Sequence, residues 1–331
     1  EPTLENFWRS IVLFGKNTSS YKFALAKSLI EINYDKSEII NFEDLAKPFS
    51  KHICIHLKHS LKQTTNTSST FIEACKNFNY NKISHDDLIE ITKKEGFKYV
   101  IDRFHIVNSS PVPKEFFINE GKSIRLTDNF FNLMSSNQNE NFSNEAESRW
   151  NLVETAWQLG INVNLIQIEY DKTEKNFYTN LFNKRRNVTS ARNALNGYQK
   201  GKCFYCYDYI STLKNSPHLC DVDHFFPHTL KNKNFDGYID GIWNLVLSCN
   251  RCNRGEDGKF AKAPSKEMVE KLYKRNEYFC SSHHPLRETI IKQLGETSKK
   301  RKSILQKLFN QASSVLIHEW SSVHLGDLKN F

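Results

Sequence analysis

Two Cys-x-x-Cys pairs, Cys203/Cys206 and Cys249/Cys252, constrain this 331-residue chain more than anything else in it. Four thiolates at that spacing can hold one tetrahedral zinc ion, each pair forming a knuckle. The pairs are separated by 42 residues, longer than a simple zinc-ribbon loop, so the intervening segment has to build a structure of its own. A redox dithiol would instead place one Cys-x-x-Cys at a helix N-terminus in a βαβ setting, which the sequence does not offer. The other four cysteines, Cys54, Cys75, Cys220 and Cys280, are scattered and read as reduced, buried thiols.

Inside the frame, Asp221-Val222-Asp223-His224-Phe225-Phe226-Pro227 reads as a short strand that Pro227 ends. Alternation puts Asp223 and His224 on opposite sides unless the strand stops there. Residues 229–241, rich in Asn, Lys, Asp and Gly, read as a loop, and Trp243-Asn244-Leu245-Val246-Leu247 as a second strand. A helix is expected from about Cys249 to Asn253. The order is strand, loop, strand, helix, with polar residues gathered at one end.

This segment resembles the HNH endonucleases, the ββα-metal or His-Me finger nucleases, in their zinc-bound four-cysteine branch. The likeness covers about residues 201–262. It consists of Cys-x-x-Cys, Asp-His with a proline three residues on, Asn-Leu, and Cys-x-x-Cys-Asn, in the family order. Asn253 stands where some members have histidine. The resemblance implies a zinc-stabilised ββα-metal module embedded in a helical protein, an α+β chain overall. It also implies an endonuclease, with double-stranded DNA ahead of RNA as substrate and products carrying 5′-phosphates and 3′-hydroxyls. Asn244, by the same resemblance, is the family's middle asparagine and supports the loop that carries the base.

The residue types agree with that chemistry. Phosphodiester hydrolysis needs an activated water, charge neutralisation on the phosphorane and help for the leaving oxygen. His224 fits as general base because its ordinary pKa lies near working pH. Asp223 and Asn253 are hard oxygen donors suited to Mg2+ or Mn2+. Arg254 or Lys259 could contact phosphate, although Arg254 reads equally well as a solvated charge. His228, four residues past the base, could touch substrate or metal, but a plain loop histidine is the simpler reading. The His283-His284-Pro285 cluster has only Cys280 nearby and reads as structural.

Charge concentrates around the frame. Residues 181–310 hold 24 lysines and arginines against 12 acidic residues, a net of +12, whereas the remainder nets −3. A local positive field is what phosphate-backbone binding requires. Residues 1–180 read as a mainly helical region for recognition, regulation or oligomerisation, and 181–331 as the nuclease domain. Helices are expected over 21–30, up to Leu61 with Pro48 in the first turn, and over 71–79, 85–95, 97–106 and 144–159. A hairpin is expected around Asn119–Lys122, a loop over 137–144 and a strand over 163–168. A basic helix is expected from Lys184 to Tyr198, with later helices over 266–273 and 298–319. The run 299–302 reads as a solvated helix start.

No apolar run approaches the roughly 18 residues of a membrane span, and no signal peptide is visible, so a cytoplasmic protein is expected. The functional expectation is a DNA endonuclease of prokaryotic restriction or anti-phage defence, acting as a homodimer or with a defence-system partner protein. Two alternatives stand beside it. One is a zinc module that binds nucleic acid without cutting it. The other is a toxin-like nuclease held off until a partner or ligand arrives.

Overall fold

The computed structural model describes residues 2–15, 17–32, 37–66, 68–158, 168–181, 184–232, 237–282, 284 and 286–322, with side chains for all but 180, 181, 184–188 and 232. The chain is α+β, mainly helical with small sheets. It divides into two compact units, Glu1–Gln158 and Leu159–Phe331. Residues 163–167 of the strand expected over 163–168, together with His283 and Pro285, lie outside the described residues. No described helix is long and apolar enough to cross a membrane.

In the first unit, α1 (Leu4–Arg9) and α2 (Tyr21–Glu31) precede β1 (Ile39–Asn41) and α3 (Phe42–Leu57). Leu45, Phe49, Ile53 and Leu57 form the buried stripe of α3, and Glu43 and Asp44 suit its positive N-terminal end. That start lies earlier than the sequence reading placed it, so Pro48 sits inside the helix, where its ring removes one backbone hydrogen bond. Next come α4 (Thr70–Asn79), capped by Ser69, and α5 (His85–Ile91), opened by a Ser84/Asp87 capping box and continued by a π turn over Thr92–Gly96.

Helix α6 is only Val100–Arg103, and β2 (Ile106–Val107) pairs with β3 (Ser110–Pro111). The expected hairpin is β4 (Phe117–Asn119) on β5 (Ser123–Leu126), with β1 added to the β5 edge. Helix α7 (Asp128–Met134) leads to α8 (Asn139–Gln158). The composition of the polar run 137–144 predicts a loop, but all from Asn139 on is helix. Phe142 continues the stripe of Ala146, Trp150, Val153 and Trp157, and it packs on Trp8 with ring centroids 6.1 Å apart. Beside it, Arg9 and Glu145 form a buried bidentate pair with both bonds at 2.8 Å.

The second unit opens with an antiparallel meander of β6 (Glu169–Asp171), β7 (Asn176–Leu181) and β8 (Lys184–Ser190). The basic helix expected from Lys184 is therefore a strand as far as Ser190. Val188 and Thr189 are β-branched and favour a pleated strand, and helix begins only at α9 (Ala191–Asn196). Strand β9 (Asp221–His224), strand β10 (Leu245–Ser248) and α10 (Asn250–Arg254) follow.

The unit closes with α11 (Lys266–Ser281), α12 (Arg287–Leu294) and α13 (Ser298–Val315). On either side of them in the chain, β11 (Ala263–Pro264), before α11, lies parallel to β12 (Glu319–Trp320), after α13. In the basic run that starts α13, Arg301 turns inward onto Glu277 rather than out to solvent.

A candidate zinc centre beside a histidine–carboxylate pair

Strand β9 pairs antiparallel with β10, setting His224 opposite Leu245, Asp223 opposite Val246 and Asp221 opposite Ser248. The sequence predicts the second strand from Trp243, but Ile242–Asn244 is a 3-10 turn and β10 starts at Leu245. Polar partners hold that turn. Buried Arg275 on α11 donates to the carbonyls of Trp243 (2.8 Å) and Leu245 (2.9 Å), and Asn276 also donates to Trp243. On the edge of β10 away from β9, Gln199 exchanges hydrogen bonds with the backbone of Leu247 in the manner of a neighbouring strand, and Phe204 N–H donates to the same carbonyl.

That second link ties the first knuckle to β10. Cys203, Cys206, Cys249 and Cys252 place their sulfurs within 4.8 Å of one another, the one such group of potential metal ligands among the described residues. Cys206 Sγ and Cys249 Sγ are 3.7 Å apart, against about 3.8 Å for the edge of a tetrahedron with metal–sulfur bonds of about 2.3 Å. The Cys249 amide donates to Cys203 Sγ (3.3 Å) and the Cys252 amide to Cys249 Sγ (3.5 Å), which also caps α10.

Burial pushes the Cys203 thiol well above its ordinary value, so four thiolates in this space need a cation, and the cluster could hold zinc. Two nearby side chains have the right sign, exposed Arg251, which hydrogen-bonds Cys206, and Lys271. Lys271 is buried, with its Nζ 3.9 Å from the Tyr207 ring centroid and 4.9 Å from that of Phe204. Burial lowers its pKa to about 7, while Cys203, Cys206 and Cys252 pull the other way.

The polar residues of the frame fall into two groups. In the first, His224 ends β9, nearly buried, and its Nε2 lies 3.0 Å from Asp240 Oδ1. Burial pushes the His224 pKa below its ordinary value, against the opposing pull of Asp240. Lys231 donates to the other Asp240 oxygen at 2.9 Å, and His228 Nε2 stands 3.8 Å from the first. Burial would raise the Asp240 carboxyl, but hydrogen bonds from Lys231 and His224 hold it below the usual range. Tyr170 of β6 packs on the imidazole with centroids 6.0 Å apart.

Fully buried Asn244 joins the two sides of this group. Its Oδ1 accepts from Phe226 N–H (2.8 Å), and its Nδ2 donates to the carbonyls of Phe226 (3.0 Å) and Ile239 (2.9 Å). One amide thus fastens the segment after His224 to the segment before Asp240.

The second group lies along Asp221 and Asp223, which alternation directs to one face of β9. Asp223 Oδ2 accepts from Tyr205 Oη at 2.6 Å and is 3.1 Å from Lys259 Nζ. Lys259 is fully buried and also donates to the His224 carbonyl (3.0 Å), so it is tied to the protein's own carboxylate. Asn253 Nδ2 donates to Asp221 Oδ2 (3.0 Å), and exposed Arg254 pairs with Asp221 Oδ1 (2.8 Å). An ionised carboxylate only accepts, so the Asn253 amide turns its nitrogen to Asp221.

Asp240, Asp221, Tyr205 and Arg275 are partners that the sequence reading did not single out. Asp221 carried a readable signal, since it stands two residues before Asp223 on a strand. Asp240, in Ile239-Asp240-Gly241, looks like an ordinary turn residue. No protein-family model matches this chain, and neither a curated protein nor a solved structure matches it.

Proposed function

We propose that the second unit is a zinc-stabilised HNH-type endonuclease that hydrolyses DNA phosphodiesters with one hard divalent cation, in a restriction or anti-phage role. The observation that carries the reading is His224 at the end of β9, kept neutral by burial and held through Nε2 by Asp240 on a strand pair that the tetracysteine cluster fastens. A neutral, oriented imidazole can take a proton from water. Asp223 and Asn253 would hold Mg2+ or Mn2+, which neutralises phosphorane charge and assists the leaving oxygen when bound. Arg254 and the basic excess of 181–310 supply attraction for the DNA backbone.

A specific observation favours a second reading, the non-catalytic zinc module. Lys259 already neutralises Asp223 from inside the protein, so a cation has to share that carboxylate with an ammonium group.

Cleavage of supercoiled plasmid with Mg2+ or Mn2+, wild type beside His224→Ala, separates the two readings. The nuclease reading expects nicked or linear product from wild type and a loss of about a hundredfold or more in the variant, in the range of general-base contributions, with zinc content unchanged. Equal cleavage by both proteins removes His224 as base. DNA binding without cleavage by either favours the zinc module.

A further inference from the structure

Resting on the nuclease reading, we propose that Asp240 is a positioning residue that fixes His224 in one tautomer, with the proton on Nε2, so that Nδ1 is the atom that accepts the proton from water. The contact of 3.0 Å runs from His224 Nε2 to a carboxylate oxygen. A carboxylate that receives hydrogen bonds from two sides stays ionised, and an ionised carboxylate has no hydrogen to give. The hydrogen in that contact therefore belongs to Nε2. A neutral imidazole carries one N–H, so the lone pair is on Nδ1.

The arrangement is over-determined. Lys231 holds the second oxygen of Asp240 at 2.9 Å, which resists rotation of the carboxylate away from His224. The backbone on both sides is fixed by Asn244, through Phe226 and Ile239. Phe225 N–H donates to the Asn244 carbonyl at 2.7 Å, which fixes the chain just after the imidazole. Gly241 closes the turn that presents Asp240. Its amide donates to the Tyr238 carbonyl at 2.9 Å, and a Cβ there would lie 2.8 Å from that same oxygen and collide with the Trp243 ring. A carboxylate that merely decorated a surface turn would not need its neighbours locked in this way.

The test has a spectroscopic arm that does not depend on activity. In full-length protein labelled with 15N-histidine, long-range proton–nitrogen correlations at mildly alkaline pH report which ring nitrogen carries the proton, with the His224 signals assigned by their loss in His224→Gln. The wild type is expected to show Nε2–H and a bare Nδ1. Asp240→Asn, whose amide can either accept from or donate to Nε2, should show the other tautomer or a mixture. Its kcat on plasmid should fall about a hundredfold or more while KM stays within about threefold, as expected for a mis-set base. Asp240→Glu, which keeps the carboxylate, should recover part of that loss, and zinc content should be unchanged throughout.

A wild-type His224 protonated on Nδ1 overturns the assignment. So does an Asp240→Asn protein with wild-type tautomer and turnover, when His224→Ala is inactive, and in that case the nuclease reading survives. Wild-type-like cleavage by His224→Ala removes His224 as the base, and with it the role given to Asp240.

Discussion

At the scale of single residues, the site depends on polar groups whose partners are backbone atoms. Asn244 is the clearest case. Replacing it with alanine strands Phe226 N–H and the carbonyls of Phe226 and Ile239 in a buried setting. Each orphaned group costs about 1–3 kcal/mol, so Asn244→Ala should lower unfolding stability by about 3 kcal/mol in urea titration. A loss below about 1 kcal/mol would mean that water or a relaxed backbone replaces the amide. Lys271 tests the zinc centre at the same scale. A zinc ion with four thiolates carries two net negative charges, and buried Lys271 stands beside it, its protonated form favoured by those thiolates. Lys271→Met, which keeps the aliphatic bulk, should weaken zinc binding by about tenfold in competition with a chelating dye, as for other groups that neighbour metal ligands. Unchanged affinity would reduce Lys271 to packing. Spacing alone pointed to the cysteine cluster, because a knuckle is a local structure. Asp240 and Lys259 were not legible in their observed places. Their roles follow from which side chain the folded backbone sets 3 Å away, and neither has a local pattern that encodes it.

At the scale of elements, periodicity located most helices and tertiary contact set their ends. The start of α8 and the strand character of 184–190 both escaped because short polar or basic runs carry no helical or pleated stripe of their own. Phe142 recruits one into a helix, and pairing with β7 extends the other. Helices α3 and α8 also make a prediction. His56 of α3 stacks flat on Trp150 of α8 with centroids 3.5 Å apart. Its ring nitrogens meet Glu154 (2.9 Å) and Glu147 (3.3 Å). Burial alone would lower the His56 pKa, but the two carboxylates raise it above 6.5. Burial would raise Glu147, yet His56 and Lys27 bring it down to about 2. A raised histidine stabilises fully below its unfolded pKa, and that contribution fades as pH rises through the folded value. A lowered glutamate stabilises above its unfolded pKa and fades as pH falls towards 2. The pair therefore contributes most between about 4.5 and 6.5, the two ordinary values. The stability difference between wild type and His56→Gln should be largest near pH 5.5 and shrink on the alkaline side. Taking the difference cancels His105, whose pKa burial lowers to about 4 and whose own effect has the opposite sign. A difference that is flat with pH would show His56 to be neutral throughout.

At the scale of the whole molecule, two compact units with separate cores make different demands on metal. The first unit rests on an aromatic interior, with Trp8 against Phe104, Phe116, Phe130 and Phe142, and it holds no metal-type cluster among the described residues. In the second, β9 and β10 are four residues each, too short to be stable as a hairpin without support. Their support comes from two sources. The knuckles fasten one side, through Phe204 on β10 and Cys249 at the start of α10, and Arg275 and Asn276 of α11 fasten the Trp243–Leu245 turn. Zinc binding contributes many kcal/mol where the site forms only on folding, about 10–16 in small zinc-dependent modules. Its removal should therefore release the knuckles first, then the strands that carry His224 and Asn244, and should reach the α11–α13 helices least. Hydrogen exchange read by mass spectrometry on the full chain, with and without a strong zinc chelator, should show faster uptake across 203–206 and 245–254. Uptake across α2, α3 and α8 should stay unchanged. Zn2+ should restore protection and Mg2+ should not, because thiolates prefer the softer ion. Equal uptake everywhere after chelation would mean that the units do not unfold separately. Unchanged uptake at the cysteines, with metal shown to be gone, would mean that the four thiols pack as an ordinary core and that the spacing of the two pairs has no metal behind it.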